Sequence, residues 1–433
     1  MSKINEVYIK PNREEKIIQF GEGGFLRAFF DWMLQKANDE GVYNGSAVVV
    51  QPIEKGMCGM LSEQNCLYTN IIRGVEGVES RVIDVISRCV NPYEDYEAYL
   101  SLADNPKAEI IVSNTTESGI AYKYCDFPEN QVPDSFPAKL TALLYRRYNK
   151  GLKGFLLFPC ELIEKNGEKL KEIVLKHAED WKLEAEFINW INKENQFCNT
   201  LVDRIVPGYP RDEKIELDYE DNMINTAEYY HLWVIEGDIK GKDVLTFDKA
   251  GLNIIWTDNL SLYRTRKVRI LNGAHTSTVA YAMLGGIETV MDVMQDEKMS
   301  TYIKDVVFGE IMPTLELPEN ELKEYAENVL QRFSNPYIKH YWRSISLNSV
   351  SKFKVRVLPS LLQYYSRFNK LPEKLVFSLY CLIKMYKTMD IDDDAAVIAK
   401  MKNGTVAQIL ADKTLWDTDL SFLLAEVSKY DNK

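Results

Sequence analysis

The sequence predicts an α/β domain followed by an all-helical domain. Between residues 16 and 158, short β-rich runs alternate with amphipathic helical segments, a pattern typical of a parallel sheet covered by helices. From about Arg266 onward the strand signals fade, and helical periodicity continues through Ala425. Because 433 residues exceed what a single hydrophobic core usually contains, we expect two domains, residues 1–262 and 263–433.

Four β-rich runs in the first part predict strands, of which the second and third read as fully buried. They are Lys16–Phe20, Ser46–Gln51, Glu109–Ser113 and Gly154–Phe158. Two further strand-like segments, 68–73 and 81–90, flank a glycine-containing turn. Apolar residues at helical spacing predict connecting helices over 26–40, 93–104 and 138–148. In the second part the same spacing predicts helices over 270–284, 299–308, 320–333, 358–368 and 373–388.

The composition argues against several classes of protein. A net charge of −12 and a pI near 5.1 disfavour nucleic-acid binding, which requires a basic surface. The N-terminus lacks the apolar core of a signal peptide, and no apolar run approaches the roughly 20 residues of a membrane span. The cysteines never occur as Cys-x-x-Cys, nor the histidines as His-Glu-x-x-His. We therefore expect a cytosolic monomer or small homo-oligomer without disulfides, metal, nucleic-acid partner or membrane partner.

A glycine-rich turn lies between the first predicted strand and the first predicted helix. Gly21 permits a tight turn after the strand, and Gly23 lets the backbone approach a pyrophosphate closely. The following helix start offers free N–H groups to the same anion. This arrangement predicts a Rossmann-type dinucleotide-binding domain over residues 1–262. Leu26 stands where a third glycine is usual, so a plain glycine-rich turn stays an alternative.

Two further strand ends in this domain carry polar residues. Gln51 occupies the place of the acidic residue that usually binds a ribose hydroxyl, and it leaves the choice between NAD and NADP open. A polar loop, 114–117, follows the strand that ends at Ser113, although it also fits a capped helix start. The predicted cofactor-binding residues are Ile18, Gly21, Glu22, Gly23, Gly24, Phe25, Leu26, Arg27, Gln51, Asn114, Thr115, Thr116 and Glu117.

Lys267, Asn272 and His275 form a candidate catalytic group at the start of the helical part. On an α-helix they fall within roughly 140° of arc, and their side chains lean toward the helix N-terminus. A lysine with a lowered pKa can act as a base toward an alcohol, and an amide can stabilise the resulting oxyanion. Alternatively, Asn272-Gly273 is a turn, His275 a core histidine and Lys267 a solvated cation.

Taken together, these motifs resemble the mannitol dehydrogenase family, the long-chain polyol dehydrogenases. The resemblance rests on Gly-x-Gly-Gly-Phe-x-Arg at 21–27 and on Lys-x4-Asn-x2-His at 267–275, and it extends over about residues 15–370. Other matching runs are SNTTESGI at 113–120, PCELI at 159–163, TLVDRIV at 200–206 and NPYIKH at 335–340. The resemblance implies a metal-independent NAD enzyme in which Lys267 is the general acid/base and Asn272 and His275 support it.

The resemblance also implies substrate contacts for Lys352 and Asp203. Leu162 stands where polyol-oxidising members carry an asparagine, which argues against mannitol chemistry and fits a branch with a different substrate, and the matching runs resemble the branch that acts on a sugar acid. For that branch the implied reaction is reduction of D-tagaturonate to D-altronate in hexuronate catabolism. A uronate carboxylate calls for a cation, and we predict Arg356, with Arg343 as the alternative.

Other functions stay open on the sequence alone. The nearest are the sister activities on fructuronate or mannitol. Two from other classes are a nucleotide-binding regulator without catalysis and a helical interaction module at the C-terminus.

Overall fold

The computed structural model describes residues 1–116, 118–238 and 240–431. The chain divides into two units, Met1–Leu260 and Ser261–Lys433. The first unit contains a parallel sheet covered by helices, and the described part of the second unit is helical. The predicted fold class, a Rossmann-type domain followed by a helical domain, is confirmed. Glu117, predicted to bind cofactor, lies outside the described residues.

The strands all belong to the first unit within the described ranges. They are β1 Glu15–Phe20, β2 Ser46–Val50, β3 Tyr68–Gly74, β4 Gly77–Ile83, β5 Ile86–Val90, β6 Ile110–Ser113, β7 Leu156–Pro159, β8 Gln196–Phe197, β9 Asn199–Asp203, β10 Asn225–Ala227, β11 Leu232–Glu236 and β12 Ile254–Thr257.

The α-helices of the first unit are α1 Ile4–Val7, α2 Gly24–Ala28, α3 Phe30–Asp39, α4 Cys58–Glu63, α5 Tyr96–Leu100, α6 Phe136–Asn149, α7 Asn166–Asp180, α8 Ala185–Glu194 and α9 Lys240–Val244. Helix α10, Leu260–Lys267, leads into the second unit. There follow α11 Gly273–Leu284, α12 Val290–Gln295, α13 Glu297–Lys304, α14 Glu319–Phe333, α15 Trp342–Ile345, α16 Ser349–Arg356, α17 Leu358–Phe368, α18 Glu373–Thr388, α19 Ala395–Asn403, α20 Val406–Ala411, α21 Lys413–Trp416 and α22 Leu424–Ser428.

The main sheet has the strand order β5-β2-β1-β6-β7-β8, and its neighbours pair in parallel. Successive residues of β1 face opposite sides, so that Ile17 joins one hydrophobic cluster and Ile18 the other. Both faces are therefore buried, which explains why these strands read as continuous apolar runs. The chain order reverses on the two sides of β1, and ligands bind outside the carboxyl ends of strands at such a switch point.

The two smaller sheets of the first unit have the orders β10-β3-β4 and β12-β11-β9. The segment 81–90, expected as one strand-like piece, divides between sheets: β4 pairs antiparallel with β3, whereas β5 pairs parallel with β2. A β-rich run does not reveal which neighbour each half will hydrogen-bond. The strands β8 to β12 were not predicted.

The helix expected over 26–40 is interrupted at Phe29, where φ is −113° and ψ is −74°. Phe29 stacks on Phe25, with ring centroids 5.0 Å apart, and meets the edge of Trp233 at 5.9 Å. Trp233 lies on β11, which belongs to a different sheet from β1. Packing against this distant strand accompanies the interruption, so helical periodicity alone did not indicate it.

His231 makes the stability of the first unit dependent on pH. Its Nε2 accepts a hydrogen bond from the Asn253 N–H at 3.1 Å, which requires a neutral ring nitrogen. Burial and the nearby Arg204 guanidinium lower the pKa of His231 to about 4. Because the unfolded histidine titrates near 6.5, this contribution to stability is present above pH 6.5 and is lost as the pH falls toward 4.

We therefore expect His231→Gln to destabilise the first unit less at pH 5 than at pH 8, by about 2 kcal/mol. The variant lacks the titrating ring, so it does not share the loss that the wild-type chain suffers on acidification. Hydrogen exchange of the β11 amides at both pH values measures the difference. An equal destabilisation at pH 5 and pH 8 would contradict the assignment.

Candidate active site

The glycine-rich turn connects β1 to α2 at the switch point of the main sheet. Gly21 has a φ of +119°, and its N–H donates to the Val50 carbonyl at 3.1 Å. A Cβ at Gly21 would lie 2.9 Å from the Asn114 carbonyl oxygen, so no other residue fits there without movement. Gly23 precedes α2 with a φ of −66°, and a Cβ built there meets no atom within 4 Å. Gly21 thus serves the fold, whereas Gly23 leaves an open surface.

A cleft of about 540 Å³ lies beside this turn, a volume within the range of ligand sites. Its walls come from the carboxyl ends of β1, β2 and β6 and from the segment before α6. The lining residues are Gly21, Glu22, Gly23, Pro52, Ile53, Met57, Asn114, Thr115, Thr116, Ser118, Gly119, Ala121, Lys123, Asp134, Ser135 and Phe136. Two groups of predicted cofactor-binding residues, those of the glycine-rich turn and those of the loop after β6, therefore line the same cleft.

The sequence patterns did not predict that the segment before α6 lines the cleft. Ser135 caps this helix by accepting a hydrogen bond from the Ala138 N–H at 3.3 Å, and Pro137 follows in the first turn. A serine followed closely by a proline is a recognisable helix start. That signal would have extended the predicted helix, 138–148, back to its true start, but it does not indicate that the N-terminus borders the cleft.

Glu22 and Gln51 both organise the loop 52–58 that forms one wall. Glu22 is buried, and its Oε1 accepts a hydrogen bond from the Met57 N–H at 3.1 Å; burial raises the pKa of its carboxyl group. The Gln51 amide donates to the carbonyls of Ile53 and Glu54 at 2.9 and 3.0 Å. Both of its amide hydrogens are thus used inside the protein, and a contact of Gln51 with a ribose hydroxyl stays a prediction.

Other residues of the predicted cofactor set support the turn from within. Ile18 and Leu26 are core residues, and Phe25 packs on Phe29. The buried Arg27 guanidinium donates to the carbonyls of Glu22 at 3.1 Å and Met223 at 2.6 Å. The Gly24 carbonyl accepts a hydrogen bond from the Asn225 side chain at 2.7 Å. These residues are adjacent in sequence to the cleft but do not belong to its described lining.

Asp203 is buried at the end of β9, opposite Leu232 of β11. The neighbouring Arg204 guanidinium donates to the carbonyls of Glu228 and Ala28, at 2.7 to 2.9 Å, and covers the Trp32 ring. The predicted role of Asp203 as a substrate contact stays a prediction.

In the second unit, a π-helical turn over Val268–Asn272 separates α10 from α11. The Gly273 N–H bonds to the Val268 carbonyl, five residues back. In such a turn, residues five apart lie about one turn above each other. Lys267 and Asn272, both half-buried, therefore lie more nearly in line than the predicted α-helix would place them. π-turns of this kind occur frequently at functional sites.

His275 lies in an aromatic enclosure. Its ring stacks on Phe333, with centroids 4.2 Å apart, and meets the edges of His340 and Trp342 at 4.9 and 6.2 Å. Burial, helped by nearby positive groups that include Arg356, holds the pKa of His275 well below its usual value. The ring is therefore neutral at physiological pH, and within the described part of the chain its Nε2 has no hydrogen-bond partner.

Arg356 and Lys352 are one turn apart on α16. This helix packs against α11, where a Cβ at Gly273 would lie 3.3 Å from the Arg356 carbonyl oxygen. Lys352 Nζ donates to the Ile345 carbonyl at 2.9 Å, and burial together with Arg356 lowers the pKa of Lys352. Arg343, the alternative cation, is exposed and donates to the Asp390 carbonyl. Arg356 is half-buried and lies near enough to His275 to lower its pKa, whereas Arg343 is exposed, which favours Arg356 over Arg343.

Comparison with known proteins places the chain in a family. Residues 15–246 match the mannitol dehydrogenase Rossmann domain, and residues 259–432 match the mannitol dehydrogenase C-terminal domain. The chain therefore belongs to the mannitol dehydrogenase family, and it is a dehydrogenase that acts on CH–OH groups. The resemblance inferred from the glycine turn and the Lys-Asn-His segment is confirmed.

Several relatives share the whole architecture. The chain is 43% identical to an altronate oxidoreductase of Yersinia enterocolitica and 45% identical to one of Bacillus subtilis. These alignments cover 94% of this chain and 91% and 89% of the relatives. Among solved structures, a substrate-free D-sorbitol dehydrogenase has a TM-score of 0.84 at 22% identity and covers 99% of this chain and 96% of its own. The Pseudomonas fluorescens mannitol 2-dehydrogenase complex with NAD and D-mannitol has a TM-score of 0.68 at 21% identity, with 98% and 92% covered.

The described residues show neither a metal cluster nor a membrane-spanning helix. They contain no group of three or more histidines, cysteines or carboxylates arranged to hold a metal ion. Nor does any helix in them combine the length and apolar character that crossing a membrane requires.

The two glycines of the turn predict opposite effects of the same substitution. Gly23→Ala should leave the melting temperature unchanged, because its Cβ meets no protein atom, yet weaken NADH binding by about tenfold through lost backbone approach. Gly21→Ala should lower the free energy of unfolding by about 1–3 kcal/mol, because φ is positive and the Asn114 carbonyl is close. Calorimetry measures the stability of each variant, and NADH fluorescence titration measures its affinity for the cofactor. Equal melting temperatures for the two variants would refute the assignment of the structural role to Gly21 and the binding role to Gly23.

Proposed function

We propose that this protein is an NAD-dependent tagaturonate reductase, which reduces D-tagaturonate to D-altronate and catalyses the reverse oxidation. The observation that carries the proposal is the similarity to altronate oxidoreductases over 94% of this chain, at 43 and 45% identity. The half-buried cations of α16 support it, because a uronate differs from a plain ketose by one carboxylate. We place the enzyme in the cytosol, in hexuronate catabolism.

The cleft of the first unit fits the adenine-nucleotide part of NAD. Gly23 leaves the backbone open to a diphosphate, and Asn114 and Thr115 present polar atoms at the carboxyl end of β6. Gln51 acts here by holding the loop 52–58. We propose this unit as the cofactor domain and the second unit as the catalytic domain.

When bound, the nicotinamide ring supplies the hydride for reduction of the keto carbon. Lys267 gives a proton from its Nζ to the carbonyl oxygen, and in the reverse direction takes it from the hydroxyl. Asn272, one π-turn away, donates a hydrogen bond to the same oxygen as negative charge develops there. His275 is neutral, so it orients the substrate hydroxyls without adding a competing charge.

Lys267→Met should lower kcat by at least about 100-fold while NADH still binds, because only proton transfer is lost. Lys304→Met, an exposed lysine on α13, provides a matched control that should retain full activity. Steady-state rates with D-tagaturonate and a separate NADH titration measure the two effects. A Lys267→Met enzyme with wild-type kcat would exclude this lysine as the acid/base and favour the non-catalytic regulator.

The substrate carboxylate is assigned to Arg356, with Lys352 beside it and Asp203 as a further substrate contact. Arg356→Met should raise KM for D-tagaturonate by about 10- to 100-fold, because a charge-assisted hydrogen-bond pair is lost. Turnover of D-fructose, which lacks the carboxylate, should be no lower in Arg356→Met than in the wild-type enzyme.

Lys354 provides the control on the same helix, since it points to the other side and pairs with Asp417 at 3.1 Å. Lys354→Met should leave KM unchanged. The assay follows NADH absorbance with D-tagaturonate, D-fructuronate and D-fructose in parallel. Faster turnover of either of the last two would replace tagaturonate by the sister substrate, and an unchanged KM for Arg356→Met would remove Arg356 from the carboxylate site.

A further inference from the structure

Glu161 is a buried carboxylate directly behind the cofactor cleft. It follows β7, and its side chain is 2% exposed. Its Oε1 accepts hydrogen bonds from the Thr115 N–H at 2.9 Å and from the Thr115 hydroxyl at 3.0 Å. Its Oε2 accepts a third from the Ser113 hydroxyl at 3.0 Å. These three donor groups belong to the end of β6 and to the loop after it. One carboxylate therefore contacts both the strand end and the loop.

The described residues of the loop after β6 have an unusual backbone conformation. Thr116 has a φ of +69°, a left-handed conformation that residues with a Cβ rarely adopt. A Cβ at Gly119 would lie 2.0 Å from the Thr115 hydroxyl oxygen, so Gly119 lies directly against Thr115. Such a conformation persists only where its surroundings fix it, and it is typical of ligand-binding segments.

Side-chain hydrogen bonds also hold the backbone from Pro159 to Glu161. The Asn166 side-chain amide donates to the carbonyls of Glu161 at 3.0 Å and Pro159 at 2.9 Å. Asn114 donates from its side chain to the Cys160 carbonyl at 2.8 Å. The ends of β6 and β7 are therefore joined by side chains as well as by the sheet. A change at Glu161 reaches Thr115 because the two residues are directly hydrogen-bonded.

These contacts suit an acceptor and not a donor. Burial raises the pKa of the Glu161 carboxyl group, while the hydrogen bonds from Thr115 and Ser113 oppose that rise. The Thr115 N–H can only donate, so the atom facing it must accept. Loss of the acceptor would leave the part-buried Thr115 N–H without this partner and release the loop from β7.

We propose that Glu161 is a positioning residue that sets the conformation of the 113–116 loop and thereby the affinity for the dinucleotide. The inference rests on the proposed function only in taking NADH as the ligand of the cleft. Glu161 does not line the cleft itself, so its effect reaches the cofactor through Thr115.

The test compares three variants by NADH fluorescence titration without substrate. Glu161→Leu removes every acceptor at similar volume and should raise the Kd by about tenfold or more. Glu161→Gln keeps an acceptor for Thr115 and an amide that can donate to Ser113, so it should stay within about threefold of wild type. Glu164→Leu, the same change at an exposed carboxylate three residues along, should leave the Kd unchanged.

Steady-state kinetics separate positioning from general damage. Glu161→Leu should raise KM for NADH and leave KM for the keto acid unchanged, a split that a merely destabilised enzyme would not show. A wild-type Kd for Glu161→Leu overturns the proposal. So does an equal loss in Glu161→Gln, because charge and not hydrogen-bond geometry would then matter.

Ser113→Ala keeps the inference testable if Glu161→Leu does not fold. It removes one donor to Glu161 without touching the cleft lining, and it should raise the Kd by about threefold to tenfold. An unchanged Kd would overturn the proposal. Wild-type protein that binds NADH but reduces no keto acid would refute the proposed function alone, since the Kd comparison still decides the role of Glu161. Wild-type protein that does not bind NADH would refute both.

Discussion

The first unit depends on the close approach of two backbone segments at the carboxyl edge of its main sheet. Gly21 donates to the Val50 carbonyl of β2 and faces the Asn114 carbonyl after β6 with no room for a Cβ. This contact holds the ends of three strands together where the chain order reverses. A dinucleotide site needs such proximity, because phosphates are bound largely by backbone N–H groups that side chains would obstruct.

Buried side chains then shape the walls around that contact. Gln51 and Glu22 fix the loop after β2, and Glu161 fixes the loop after β6. Each uses its polar atoms on backbone or neighbouring hydroxyl groups. These hydrogen bonds stabilise the loops around the cleft, because a loop that moved away would leave buried polar groups without partners.

The second unit shows how burial selects protonation states. His275 is enclosed by aromatic rings and lies near positive groups, so its ring is neutral. Lys352 and Arg356 are half-buried, and burial lowers the pKa of each. In a protein with a net charge of −12, cations collected at one place attract an anionic substrate there. The π-turn between Lys267 and Asn272 adds alignment that a regular α-helix lacks.

The sequence by itself determined the elements whose signals are local. The apolar runs of β1, β2, β6 and β7 mark a sheet buried on both faces, and the spacing in α17 and α18 gives those helices within the ranges predicted. The glycine turn and the Lys-Asn-His segment were enough to indicate the family. Tertiary structure alone decided the rest, because it depends on partners distant in sequence. Trp233 packs against Phe29 at the helix interruption, loop carbonyls take up both Gln51 amide hydrogens, and Glu161 meets a loop some 46 residues earlier in the chain. A linear pattern gives the type of each residue, but only the folded chain determines which polar atoms are already satisfied and which remain for a ligand.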